Sequence, residues 1–277
     1  MITIPNIAVL LTCHNRKDKT LQCLQALFTQ QGLDVDFNIE VFLVDDASSD
    51  GTAEAIRSQF PKVTIISGDG NLYWNRGMRM AWETAANTND YDYYLWLNDD
   101  TFLNKDALPI LLKQTFNKAI VCGTTQSIQD QKATYGGYKK NPYRLISPNG
   151  GFQECDYCNG NCVLISKEVF RIVGNLDPVF HHALGDFDYG FRARKLGIAI
   201  YIAPFFIGTC EGHTEIPKWR SPSLSLIARV KSLYSAASGC HPLEFFVIDS
   251  RQNGIFAAIF HFTTIHLRAI APFLWKH

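Results

Sequence analysis

The chain carries no excess charge of either sign: Lys+Arg number 26 and Asp+Glu 26, for a formal net charge of zero. That balance removes the broad basic field of a nucleic-acid binder, so no nucleic-acid partner is expected. No stretch of about 20 residues is free of charge and polarity, which argues against a transmembrane helix. The nearest candidate, 254–275, contains His261, His266 and Arg268. The opening MITIPNIAVLLT has neither a charged n-region nor a small-residue cleavage site, so no signal peptide is expected. No G-x-G-x-x-G follows the first strand and no G-x-x-x-x-G-K-[ST] occurs anywhere, which disfavours a dinucleotide oxidoreductase and a Walker-type NTPase. Internal repeats and low-complexity linkers are also missing.

Without an export signal, the eight cysteines read as reduced thiols of a cytosolic protein. Cys155, Cys158 and Cys162 have a metal-like spacing. No matching Cys/His pair follows at finger-like distance, however, and Cys162 opens an apolar run. What the chain does have is apolar mass: 47% of its residues, with 19 Phe, over 277 positions. That suffices for a well-packed large domain, or for one domain plus an appendage.

Short β-rich runs at 7–12, 38–44, 63–67 and 93–97 alternate with helical spacing at 18–30, 49–60 and 75–86. Ser49 or Asp50 is the expected N-cap of the second helix. A β-α-β-α-β-α-β order predicts a mostly parallel sheet covered on both faces, with the strands' C-terminal ends on one edge. Ligands bind at that edge in open α/β sheets. Further strands are expected at 119–124, 162–165 and 198–203, helices at 167–173 and 187–195, a hairpin or mobile loop at 135–150, and helices from 223 onward.

The polar residues collect at the predicted edge. Asn98-Asp99-Asp100 ends the aromatic run DYDYYLWL. Adjacent carboxylates on a sheet rim suit a hard divalent cation that also grips a phosphate. A polar turn capping the next helix is the other reading.

The order VLLTCHNR, VFLVDDASSDGT, GNLYWNRGMRMA, LWLNDD and GDFDYGFRARKLG resembles family 2 glycosyltransferases, inverting enzymes of the GT-A fold. The wording is most similar to rhamnosyltransferase-like enzymes of cell-envelope polysaccharide synthesis. The resemblance covers about residues 5–215; each motif is weak alone, and five in order are specific. It implies an α/β, Rossmann-like GT-A domain over 1–217, with a nucleotide-sugar half at 1–115 and an acceptor half at 116–217. A helical appendage follows at 218–277.

The same resemblance implies roles. Thr12 borders the nucleotide base, Arg16 lies near the diphosphate, and Asp46 accepts a hydrogen bond from the pyrimidine N3–H, a job for an acceptor-only group. Asn98-Asp99-Asp100 stands for the family's D-x-D, with Asn in first place. Asp100 is then the ligand for Mn²⁺ or Mg²⁺, and Asp99 touches the ribose or donor sugar. The ion offsets charge on the departing nucleoside diphosphate. His213 is implied as a second ligand, which suits Mn²⁺ better than Mg²⁺. Asp186 aligns with the catalytic base. The family has two acids where this chain has Gly185-Asp186, which keeps Asp188 as the other candidate base; otherwise Asp188 holds Asp186 or the sugar. Arg192, on the same helical face as Asp188, pairs with a carboxylate and tunes it. Asn71 and Asn75 serve the donor-side loop. Trp74, Asn159 and Gly160 serve the acceptor side, where Trp74 either stacks on a sugar or belongs to the core. His181 and His182 are bystanders there. Plain structural readings stand beside these: strand end for Thr12, helix cap or cap neighbour for the aspartates, loop residue for His213.

The function implied is transfer, with inversion, of one sugar from a UDP- or dTDP-sugar, dTDP-rhamnose in particular, to a glycan hydroxyl. The acceptor would be a lipid-linked glycan at the cytoplasmic face of the membrane. A sugar-nucleotide nucleotidyltransferase would want a Gly-rich basic loop after strand one, and TCHNRKDK has no Gly. A non-catalytic sugar-binding relative would have lost Asp100 or Asp186. In the C-terminal region Phe256, Ile259, Phe260, Thr263 and Leu267 form an apolar stripe, widened by Phe262, Ile265 and Ile270. Lys218, Arg220, Arg229, Lys231, Arg268 and Lys276 scatter positive charge around it. Such a helix either lies in a membrane interface or packs on the catalytic domain or on a second copy of the chain.

Overall fold

Runs of Val, Ile and Leu in the first hundred residues become strands because both their faces are covered. The computed structural model describes residues 4–113, 118–212 and 216–274. It begins β1 (Asn6–Cys13), α1 (Lys17–Leu27), β2 (Asn38–Asp45), α2 (Thr52–Gln59), β3 (Thr64–Ser67), α3 (Tyr73–Thr88) and β4 (Tyr93–Leu97). These strands pair in parallel in the order β3-β2-β1-β4. Helical crossovers between parallel neighbours place all four C-terminal ends on one edge. On β1, Ala8 and Leu10 enter one hydrophobic core while Ile7, Val9 and Leu11 enter the other. A strand buried on both faces reads as a continuous apolar run rather than an alternating one.

The second half supplies β5 (Phe102–Leu103), α4 (Ala107–Leu112), β6 (Ala119–Gln126), β7 (Gly137–Lys139), β8 (Arg144–Leu145), β9 (Gln153–Cys155), β10 (Tyr157–Cys158), β11 (Cys162–Ser166), α5 (Lys167–Val173), α6 (Gly185–Lys195) and β12 (Ala199–Thr209). Among the described residues the main sheet has nine strands, of which β5, β9 and β11 run against the rest. It is a large, mostly parallel sheet flanked by helices. The segment 135–150 forms the β7–β8 hairpin, which β10 extends into a small antiparallel sheet. Trp82 of α3 fills the space between α3, β4 and α6, with its ring centroid 5.4 Å from Trp96 and 5.5 Å from Tyr189.

Helix α2 corrects the expected cap. Neither Ser49 nor Asp50 holds the cap position; Gly51 does, at φ 80°. Glycine reaches that left-handed conformation without steric cost. Asp50 still accepts from the Thr52 N–H at 3.1 Å.

Among the described residues three α-helices follow β12: α7 (Leu226–Leu233), α8 (Pro242–Asn253) and α9 (Ile255–Ile270). They share a small core of Trp219, Leu233, Ile265 and Ala269. Arg229, expected as a scattered surface base, is buried instead. Its guanidinium donates to the carbonyls of Ala269 and Ile270 at 2.7 and 3.2 Å. A cation there satisfies orphan carbonyls at the end of α9. Lys276 lies outside the described residues.

Candidate active site

At the sheet edge the loops after β1, β2, β3 and β4 meet the loop before α6 around a cavity of about 510 Å³. Thr12, Arg16, Asp46, Trp74, Asp99, Asp100, Asn159, Gly160 and Asp186 all face it. A chain so separated in sequence converges here because parallel strands deliver every loop to the same rim.

One wall of the cavity is held by Asp46. Its carboxylate accepts from the backbone N–H groups of Gly70, Leu72 and Tyr73 at 2.7, 3.0 and 3.0 Å. This one side chain fixes the loop between β3 and α3. Thr12 meets Gly77 of α3 so closely that a Cβ there would lie 2.3 Å from its Oγ1. Asn98 is a positioning residue: its Oδ1 accepts from Trp74 Nε1 at 2.6 Å, and its backbone N–H donates to the Asn161 carbonyl at 2.9 Å. Trp74 is thereby set against Gly160, where a Cβ would sit 2.3 Å from the indole. Trp74 lines the cavity and also packs edge-on against Trp96.

Asp99 and Asp100 stand side by side under one cation. Arg16 Nη1 lies 3.1 Å from Asp99 Oδ1 and 2.8 Å from Asp100 Oδ2. Burial pushes the pKa of Asp99 up to about 6, with the Arg16 guanidinium pulling the other way. Cys210 approaches Asp100 Oδ1 at 3.7 Å, and burial raises its thiol to about 12, so it stays neutral. Among the described residues, no three His, Cys, Asp or Glu side chains gather as a ready-made cation site. Two neighbouring carboxylates nonetheless fit a hard ion that takes its remaining oxygens from a diphosphate and water. His213 lies outside the described residues.

Asp186, in the first turn of α6, also lines the cavity. Its carboxylate accepts from Gly160 N–H at 2.9 Å and from Phe187 N–H at 2.8 Å. Burial raises its pKa to about 6, against those backbone donors. One face still looks into the cavity, so the group is desolvated yet reachable. Leu184, the residue capping α6, holds φ 72°. A left-handed non-glycine residue stores strain that the surroundings must impose, and such strain gathers at functional sites.

Four expected site residues do not face the cavity. Asp188 has no exposed side-chain surface and is gripped by Arg192 Nε and Arg251 Nη1, both at 2.8 Å. Arg192 also donates to the carbonyls of Val173 and Asn175. Together they clamp α6 and α8 rather than point at a ligand. Asn75 is fully buried and bridges α3 to the carbonyls of Asp177 and Phe180 at 2.8 Å each. Asn71 is exposed beside the cavity. Conversely, His14, Tyr73, His182 and Cys210 line the cavity without having been singled out for a role in the reaction, and Asn161 lines it beside Asn159 and Gly160 of the same loop. His14 and Tyr73 carried a signal, lying within TCHNR and GNLYWNR; His14 Nδ1 is 2.6 Å from the Asp46 carbonyl. His181 turns away to Glu244 at 2.6 Å.

The clamp predicts a stability effect. Asp188→Ala is expected to cost about 3 kcal/mol in urea unfolding, near the low end for breaking a buried pair because both arginines keep some water. An unchanged midpoint would contradict the clamp.

Comparison with known proteins agrees with this architecture. The sequence model of glycosyl transferase family 2 matches residues 8–174. The chain is similar to N-acetylglucosaminyl-diphospho-decaprenol L-rhamnosyltransferase of Mycobacterium tuberculosis, in two strains, at 22% identity over 228 residues. That match covers 71% of this chain and 73% of the relative. Among solved structures, a mannosyltransferase of Pyrobaculum calidifontis in complex with GDP-Man and Mn²⁺ superposes with a TM-score of 0.59 at 17% identity. It covers 99% of this chain and 75% of the other, and shows that the fold is GT-A.

Proposed function

The chain belongs to glycosyl transferase family 2, and from that premise we propose that it moves one sugar, with inversion, from a pyrimidine nucleoside diphosphate to a glycan hydroxyl. The observation that carries this reading is the meeting of two kinds of group in one cavity. Asp186 lines it from α6, and Asp99, Asp100 and Arg16 line it from the loops after β4 and β1. Inversion needs one carboxylate on the face away from the leaving group, and Asp186 supplies it. A pKa of about 6 leaves it ionised at neutral pH yet basic enough to take a hydroxyl proton. The Gly160 and Phe187 N–H groups hold it in place as the proton arrives.

At the donor end Asp46 spends three acceptor positions on backbone N–H groups. A carboxylate has roughly four, which leaves one for a pyrimidine N3–H. Thr12 borders the base. Arg16 contributes a fixed positive charge toward the diphosphate. Asp100, with His213, is proposed to hold Mn²⁺ or Mg²⁺, and Asp99 to touch the ribose or donor sugar. Such an ion offsets the growing charge of the leaving diphosphate. Trp74, Asn159 and Gly160 form the wall that meets the acceptor, held in register by Asn98. Residues 1–217 would then be the catalytic domain and 218–277 its helical appendage.

The name of the mycobacterial relatives supports a rhamnosyl donor, for which dTDP-rhamnose is the proposed form, and a lipid-linked glycan acceptor. Thermal shift with Mn²⁺ and a panel of sugar nucleotides tests the donor class. A dTDP- or UDP-sugar at a hundredfold over its Kd is expected to raise Tm by roughly 5–10 °C. A shift with GDP-mannose and none with any pyrimidine donor would overturn the assignment of Asp46.

A further inference from the structure

Helix α9 turns its apolar side outward. Ile255, Phe256, Ile259, Phe260, Leu267 and Ile270 are exposed, Phe256 to 85% and Phe260 to 64%. Its buried positions are Ala258, Ile265 and Ala269. Large apolar groups outside and mostly small ones inside reverse the pattern of a helix that merely covers a core. The exposed stripe at 256, 260, 263, 267 and 270 runs down one face.

The C-terminal segment that carries this stripe exposes charge of one sign. Between residues 216 and 274 the acids are Glu244 and Asp249, each only 4% exposed. Both are engaged by histidines, His181 at 2.6 Å and His261 at 2.7 Å. Lys218 and Lys231 are exposed, and Arg220 is half-buried. An exposed apolar stripe on a segment whose exposed charges are cations matches a bilayer with anionic headgroups. A second copy of the chain is a poorer partner, because a two-fold contact sets like charges against each other.

We propose that α9 lies in the headgroup–acyl boundary of an anionic membrane. Its 16 residues span about 24 Å, short of the roughly 30 Å hydrocarbon core, so it rests on the surface rather than crossing it. The attachment orients the active site. Helix α8, joined to α9 at Gly254, holds α6 through the Arg251–Asp188 pair. Gly239, between α7 and α8, forms part of the cavity rim. Membrane-bound α9 thus keeps that rim beside the lipid. The inference uses the surface alone, so it stands or falls independently of the transfer reaction.

Flotation of the full chain with phosphatidylcholine vesicles, and with mixed phosphatidylcholine–phosphatidylglycerol vesicles, tests it at low and high salt. Binding is expected only to the mixed vesicles and only at low salt. Phe256→Ser with Phe260→Ser removes exposed rings and no core, and should weaken binding at least about tenfold. Lys218→Glu with Lys231→Glu should weaken it about as much. Circular dichroism melts should match wild type in both. Equal binding by the Phe256/Phe260 variant, or no binding to either vesicle, would overturn the proposal. So would a lipid-free dimer, seen by light scattering, that the same Phe substitutions dissociate; the face would then belong to a second copy.

Discussion

Asp186→Asn is expected to leave donor binding intact and to lower turnover by roughly 10²–10⁴-fold, the usual loss when a general base is removed. The amide is nearly isosteric, and its oxygen can still accept from the Gly160 N–H; its NH2 leaves the Phe187 N–H without that acceptor, so the fold should persist with some loss of stability. What the amide cannot do is take the proton of the attacking hydroxyl. A pH profile sharpens the test. Burial raises Asp186 to about 6, so the wild-type kcat should climb as pH rises through that value and level off above it. Below it the carboxyl is protonated and idle as a base. Asp99 titrates in the same range, but it lies at the donor end, and its protonation should fall on kcat/KM for the donor. Loss of the kcat limb in Asp186→Asn identifies Asp186 as its source. A crippled Asp188 variant that folds normally, beside a mild Asp186→Asn, would move the base by two residues.

The second large effect is expected at Asp100. Asp100→Ala should abolish sugar transfer and leave the melting curve close to wild type. The residue sits on the cavity rim at 16% side-chain exposure, so its loss opens no core. Arg16 retains Asp99 as its partner. Loss of donor-dependent Mn²⁺ binding, read by titration calorimetry, separates a ligand role from a role in shaping the pocket. Normal turnover of Asp100→Ala in Mn²⁺ would sink the assignment of Asp100.

The parallel half of the fold was legible because it is written in local patterns. Apolar runs of strand length alternate with helical spacing, and each polar tail follows a strand. Parallel topology then brings Thr12, Arg16, Asp46, Asp99 and Asp100 to one edge. The division of labour inside motifs was not legible. Asp188 and Arg192 share a helical face, but about 100° per residue turns Asp188 roughly 200° away from Asp186. Spacing alone could not say which of the two faces looks into the cavity. Asn75 and Asn98 resisted for a different reason. Their partners, Asp177 and Phe180 for one and Trp74 for the other, are contacts across long sequence separations. The short strands β5 and β10, two residues each, carry too little sequence to show a period. Arg229 looked like a surface base because composition gives its charge but not the carbonyls that bury it.

One measurement reaches the central claim directly. Purified full-length protein with Mn²⁺ is incubated with a panel of nucleotide sugars, and released nucleoside diphosphate is followed for wild type and Asp186→Asn. The account predicts release from a dTDP- or UDP-sugar by wild type, increased by a glycan acceptor, with Asp186→Asn insensitive to the acceptor. Release from no donor, or equal acceptor-dependent release by both proteins, would contradict it.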